Sequence, residues 1–236
     1  MCGIIGINSN KQVTASIINS LKKLEYRGYD SAGLATLSNG SINEIKTEGR
    51  VDKLEKSLLS QNIEGSIGIG HVRWATHGIP NSLNAHPHSS NNVSVVHNGI
   101  IENSTILKKF LIGKGHVFKS QTDTEVIVHL ITEHLKTDSY VDAIMKTLKS
   151  LHGSFALGIL FKDEPDLIVG ARRGSPLAVG YGPSENYLGS DSYALKSMTN
   201  KITYLNDGEF CFIKKDYVEF YNEEGIKINK KVLELS

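Results

Sequence analysis

Cysteine is nearly absent from this sequence, with only Cys2 and Cys211 among 236 residues. Two such thiols make neither a disulfide framework nor a paired-cysteine zinc pattern, and they suit a reducing, cytoplasmic setting. Proline is scarce at 5, and tryptophan occurs once. No apolar run, "SFALGILF" included, approaches the roughly 20 residues of a membrane span. No charged segment precedes an apolar one near Met1, so no signal peptide is expected. An excess of one charge sign is also missing. Lys and Arg number 26 against 25 Asp and Glu, a formal net charge of +1, with no basic run of four. That balance argues against a nucleic-acid or polybasic membrane surface.

Glycine, by contrast, is plentiful at 22, and much of it adjoins strand-like runs, which marks tight turns or close backbone approach. Alternating or apolar stretches predict strands at "CGIIGI", "SAGLATL", "INEIKTE", "SIGIGHVRW", "VSVVHNG", "SFALGILF", "DLIVGARR", "PLAVGYG", "ENYLGSD", "KITYL", "EFCFIK" and "YVEFYN". Helical spacing is rarer. It joins Val13, Ile17, Leu21 and Leu24, then Val51, Leu54 and Leu58, then Ile106, Leu107, Phe110 and Leu111. The clearest helix is "TDTEVIVHLITEHL", with Thr122 and Glu125 as a capping box, followed by "YVDAIMKTLKSL". Strand-rich blocks around two consecutive helices, without regular alternation, predict an α+β fold. With no internal repeat or low-complexity linker, residues 1–236 read as one domain of stacked sheets covered by helices.

The chemistry concentrates at two places. The chain begins "MCGIIGIN", and removal of Met1 would give Cys2 a free α-amino group with an ordinary pKa of about 7.7–8.0. A thiol beside its own backbone base is a compact nucleophile. The second place is His71–Asn98, which holds His71, His77, His86, His88 and His97 together with Trp74. The "HPH" pair lacks the partners of a zinc motif, so neither metal nor cofactor is expected. "VVHNGIIEN" reads either as a hairpin turn or as an oxyanion hole made by the Asn98 amide and the Gly99 N–H. Asp123 reads either as a helix cap or as a carboxylate that grips an ammonium. Arg73 can hold a carboxylate bidentately. A nucleophile, an oxyanion hole, a cation and an anion together suit an amino acid with a side-chain amide, glutamine or asparagine.

The motifs "MCGIIGI", "LEYRGYDSAGLA", "GHVRWATHG", "NAHPH", "VHNGIIEN" and "TDTEVI" resemble those of the class II glutamine amidotransferases. The variants "EYRGYDSAG" and "RWATHG" resemble the branch that makes glucosamine 6-phosphate from fructose 6-phosphate. The resemblance reaches to about "YVEFYN". It implies an N-terminal-nucleophile hydrolase fold, a four-layer αββα sandwich of two mainly antiparallel sheets. It implies Cys2 as nucleophile and Asn98 with Gly99 as oxyanion hole. Arg73, Thr76, His77 and Asp123 would hold the glutamine carboxylate and amine, with His86 nearby. Trp74 would gate the ammonia path, and Arg27 and Gly28 would line the site near the free N-terminus. The partners implied are glutamine and sugar-isomerase domains that bind fructose 6-phosphate. One glutaminase domain accounts for the residues present, leaving none for those domains. An amidase for apolar acyl groups would need neither Arg73 nor Asp123, and a non-catalytic module would not need Cys2, Asn98 and Gly99.

Overall fold

The computed structural model describes all residues, 1–236. The chain opens with strand β1 (Gly3–Asn8), helix α1 (Thr14–Lys23) and a 3₁₀ turn at Glu25–Arg27. Strands β2 (Ser31–Ser38) and β3 (Ser41–Glu48) form a hairpin, and helix α2 (Val51–Ser57) leads to β4 (Ile67–Arg73). A loop then runs to β5 (His88–Ser89) and β6 (Val93–Asn98). Helices α3 (Ser104–Gly113), α4 (Glu125–His134) and α5 (Tyr140–Ser150) follow. Next come β7 (Phe155–Phe161), β8 (Ile168–Arg173), β9 (Ala178–Gly182) and β10 (Glu185–Gly189). After the short α6 (Ser192–Leu195) are β11 (Lys201–Tyr204), β12 (Phe210–Ile213), β13 (Val218–Tyr221), β14 (Lys227–Ile228) and β15 (Leu233–Glu234).

The strands build two sheets, in the orders β15-β11-β9-β10-β1-β4-β2-β3 and β14-β13-β12-β8-β7-β6-β5. Every pairing is antiparallel. Successive side chains of a strand point to opposite faces, so a strand that is apolar throughout must be covered on both. In β1, Ile5 and Ile7 pack with Val13, Ile17 and Leu21 of the α1 segment. Ile4 points the other way, into a core shared with Val96, Ala156 and Leu160 of the second sheet. In β7, Phe155, Leu157 and Ile159 meet Val126, Leu130 and Ile144 of α4 and α5. Three apolar seams therefore separate four layers, α1 and α2, sheet, sheet, and α3 to α5, which is the expected αββα sandwich. Burying one Leu, Ile or Phe contributes roughly 1.5–3 kcal/mol. Exposed ion pairs such as Arg50–Glu25 and Lys136–Glu133 contribute about 0–1 kcal/mol each. The seams, not the ion pairs, hold the layers.

Two local expectations need correction. Thr122 and Glu125 form no capping box. Helix α4 starts at Glu125 itself, after Thr124, and no side chain caps it. The Glu125 carboxylate instead accepts the Lys119 and Ser120 N–H groups at 2.8 and 2.7 Å, tying down the preceding loop. Helix α3 also buries less than its spacing suggests. Leu111 is its only buried residue, while Ile106 and Phe110 face solvent, because only one edge of the helix reaches α4. The strands β5, β14 and β15, two residues each, are too short for alternation to reveal them.

Candidate active site

Cys2 sits at the open end of β1. The register sets Gly3 opposite Val72, which brings Cys2 against Arg73 and Trp74 where β4 ends. The Trp74 N–H donates to Cys2 Sγ at 3.1 Å, and the thiol reaches the Trp74 carbonyl at 3.4 Å. The Cys2 carbonyl accepts from Arg27 Nε at 2.8 Å and from Asn98 Nδ2 at 3.0 Å. Arg27 is anchored in turn by Asp191, 2.5 Å from its guanidinium. Burial pushes the Cys2 thiol up, while the Trp74 N–H, the terminal amine, Arg73 and Arg27 pull it back toward the thiolate. Met1 borders the cavity but is 79% exposed, so no core packing depends on it. Gly28 does not line the cavity. It packs on the Arg73–Trp74 backbone, where a Cβ would lie 2.5 Å from the Arg73 carbonyl carbon.

The Asn98-Gly99 pair is not a hairpin turn. The chain continues to Ile101, which bridges Gly153, and then enters α3. Gly99 has φ +125, and a Cβ there would collide with the Ser154 carbonyl oxygen. Only glycine fits that backbone. Its N–H finds no partner among the hydrogen bonds of the turns and loops, and the residue lines the cavity beside Asn98.

Arg73 is buried, and its guanidinium donates to the carbonyls of His77 and Ile79, holding the loop after β4 over the site. Burial lowers its pKa, and Cys2, Asp30 and Asp123 offset part of that. Asp30 also accepts the Ala75 N–H at 2.7 Å, a second tether on the same loop. Asp123 precedes α4 by two residues and does not cap it. One oxygen accepts the Ile101 N–H at 2.7 Å. Trp74 is half exposed and packs edge-on against Tyr29, with ring centroids 5.8 Å apart.

Behind these groups lies a buried histidine cluster. The His71 ring stacks on His86 at 4.1 Å, and His86 meets His88 at 4.9 Å. Thr124 Oγ1 lies 2.8 Å from His97 Nδ1, and Thr122 Oγ1 lies 2.9 Å from His88 Nε2. Desolvation lowers the pKa of all four, His71 to about 3, so the cluster is neutral at ordinary pH. No group of three or more His, Cys, Asp or Glu has the geometry to hold a metal ion.

A cavity of about 330 Å³ gathers Cys2, Arg27, Arg73, Trp74, Thr76, His77, His86, Asn98, Gly99 and Asp123. Thus every residue to which the resemblance gives a site role lines it except Gly28. The cavity also takes in His97, Thr124 and Ser154, and Ser190 and Asp191 stand behind Cys2. His97 and Thr124 fall inside the motifs but are given no site role by the resemblance, while no motif marks Ser154, Ser190 or Asp191. Ser154, Ser190 and Asp191 arrive only because β7 and β10 pair with β6 and β1.

Residues 71–197, more than half of the chain, match the family model described as a glutamine amidotransferase domain. The chain is 51% identical over 232 residues to the glutamine–fructose-6-phosphate aminotransferase (isomerizing) of Mesorhizobium japonicum, covering 98% of itself and 38% of that protein. It is 49% identical over 237 residues to the protein of the same name from Caldanaerobacter subterraneus subsp. tengcongensis, covering 39% of it. The chain therefore spans well under half the length of these relatives. Among solved structures, the glutamine phosphoribosylpyrophosphate amidotransferase of B. subtilis superposes with TM-score 0.80 at 26% identity, over 94% of this chain and 49% of that one. A glutamine aminotransferase class-II domain protein from Silicibacter pomeroyi shares the fold alone, with TM-score 0.65 at 14% identity. Family match, near-complete coverage by close relatives and the superposed sandwich agree: the chain belongs to the glutamine amidotransferase domain family.

Proposed function

We propose that residues 1–236 act as one glutaminase domain, in which Cys2 hydrolyses the side-chain amide of glutamine to glutamate and ammonia. The observation that carries this reading is the single cavity that joins Cys2 to Asn98, Gly99, Arg73 and Asp123. With Met1 removed, the Cys2 amine takes the thiol proton, through a water, as the sulfur attacks the amide carbon. The oxygen of the tetrahedral intermediate takes the Gly99 N–H and the Asn98 amide. The C–N bond then breaks, the protonated amine returns its proton to the departing nitrogen, and water hydrolyses the thioester. Arg73, with Thr76 and His77, faces the substrate carboxylate, and Asp123 faces its ammonium. His86 backs the pocket, and Arg27 with Gly28 holds the strand end that carries the nucleophile. Trp74, at the rim, controls where the ammonia leaves.

The relatives' name points to an acceptor. We read the ammonia as destined for fructose 6-phosphate, bound by sugar-isomerase domains outside these residues, to give glucosamine 6-phosphate. The test is a coupled glutamate assay on samples whose N-terminus has been defined by mass spectrometry. Turnover is expected only from the form that begins at Cys2. Equal turnover from a homogeneous sample retaining Met1 would refute the amine as base.

A further inference from the structure

The Asn98 amide is nearly symmetric in shape, and a half-turn about its last side-chain bond exchanges Oδ1 with Nδ2. Only one of the two orientations presents a donor to an oxyanion. His71 contacts the amide from the inner side. It is fully buried in β4, and its Nε2 lies 3.0 Å from Asn98 Oδ1 and 3.1 Å from the His97 carbonyl oxygen. The His97 carbonyl can only accept, so Nε2 carries a proton. A neutral ring holds one proton, which leaves Nδ1 bare, and His71 Nδ1 is indeed buried without any partner. The stacked His86 ring, inclined by 11°, holds the imidazole in plane.

We propose that His71 is the positioning residue for Asn98, its Nε2–H selecting the amide orientation that turns Nδ2 toward Cys2 and the cavity. This rests on the glutaminase reading above. In the flipped amide, two donors would oppose each other at 3.0 Å, and the substrate oxygen would meet a lone pair. The Cys2 carbonyl favours the same orientation, and Ser190 Oγ, 3.3 Å from Nδ2, can accept or donate and so favours neither. Nδ2 carries two N–H groups and contacts both the Cys2 carbonyl and Ser190 Oγ, so an oxyanion must displace one of these partners. When substrate competes for Nδ2, the restraint left on Oδ1 is His71. Because burial holds the ring neutral, with a pKa of about 3, the restraint persists across the working range of the enzyme.

The test compares His71→Phe, which keeps an aromatic ring in the stack, with His71→Gln, which restores an N–H near Nε2. In the processed full chain, His71→Phe is expected to lower kcat for glutamine by roughly tenfold or more, within the range for a lost oxyanion donor. KM should stay within about twofold, because glutamine binding does not use this contact. His71→Gln should recover most of the loss. Alkylation of Cys2 by iodoacetamide develops no oxyanion and should keep its rate in both variants. Long-range ¹H–¹⁵N spectra of the unsubstituted protein should show the Nε2–H tautomer unchanged from about pH 5 to 8. Wild-type kcat in a folded His71→Phe, a defect confined to KM, equal losses of turnover and alkylation, or a proton on Nδ1 would each overturn the proposal. A wild-type protein without glutaminase activity would sink the functional reading instead, and the spectra would still decide the His71–Asn98 contact.

Discussion

The two cysteines show how environment separates identical residues. Cys211 lies in β12 within the seam between the sheets, fully buried, and its thiol is pushed up to about 12. Cys2 opens onto the cavity beside an N–H donor, an amine and two arginines. Cys2→Ala is expected to abolish glutamate release and Cys211→Ala to retain it. A substantial loss of turnover in a folded Cys211 variant would show the thiol to be misassigned. Asn98 and Arg73 separate along kinetic lines. Asn98→Ala removes the proposed oxyanion donor and should cost about 10²–10³ in kcat. Arg73→Ala removes a charged hydrogen bond worth roughly 1.5–3 kcal/mol, about 10- to 150-fold in affinity. Its effect should fall mainly on KM for glutamine, and steady-state kinetics showing a pure kcat defect would contradict the carboxylate role.

At the scale of elements, the site depends on backbones that approach closely. Gly99 stands where β6 becomes a loop packed on Ser154, with φ in the left-handed range. Gly99→Ala should lose on the order of 1–3 kcal/mol of stability from backbone strain, together with most turnover. Denaturant titration with a parallel activity assay measures both, and unchanged stability would mean that the loop relaxes freely. Helix α5 provides the contrast. Ser139 is its N-cap and accepts the Asp142 N–H at 3.2 Å, far from the cavity residues. Ser139→Ala should cost about 1 kcal/mol and leave glutamine turnover intact. A drop in kcat without a drop in stability would be inconsistent with a purely capping serine.

For the whole molecule, the buried histidines set an acid limit. Unfolded, His71, His86, His88 and His97 bind protons near pH 6.5. Folded, burial keeps all four neutral to lower pH. The unfolded state therefore takes up more protons, so stability is complete above about pH 6.5 and falls as the pH drops from there. Each histidine adds up to roughly 1.4 kcal/mol per pH unit to the slope. Urea midpoints at about pH 7.5, 6 and 5 should decline steeply, and a flat profile would show that the cluster is hydrated or charged in the native state. The sequence by itself determined the strand order along the chain, the helices with a full apolar face, and the residues proposed as nucleophile, oxyanion pair and charged grips, because each is written in a local pattern or a motif. Tertiary structure alone decided the rest. It drew Ser154, Ser190 and Asp191 to the nucleophile through strand pairing, left half of α3 in solvent, and moved the start of α4 past Asp123. It also gave the Asn98 amide its direction. The physical reason is that periodicity reports which residues seek burial. Which partners they meet, and which way an amide points between them, is set by contacts between residues 27 to 186 positions apart, such as His71 with Asn98 and Ile4 with Ser190.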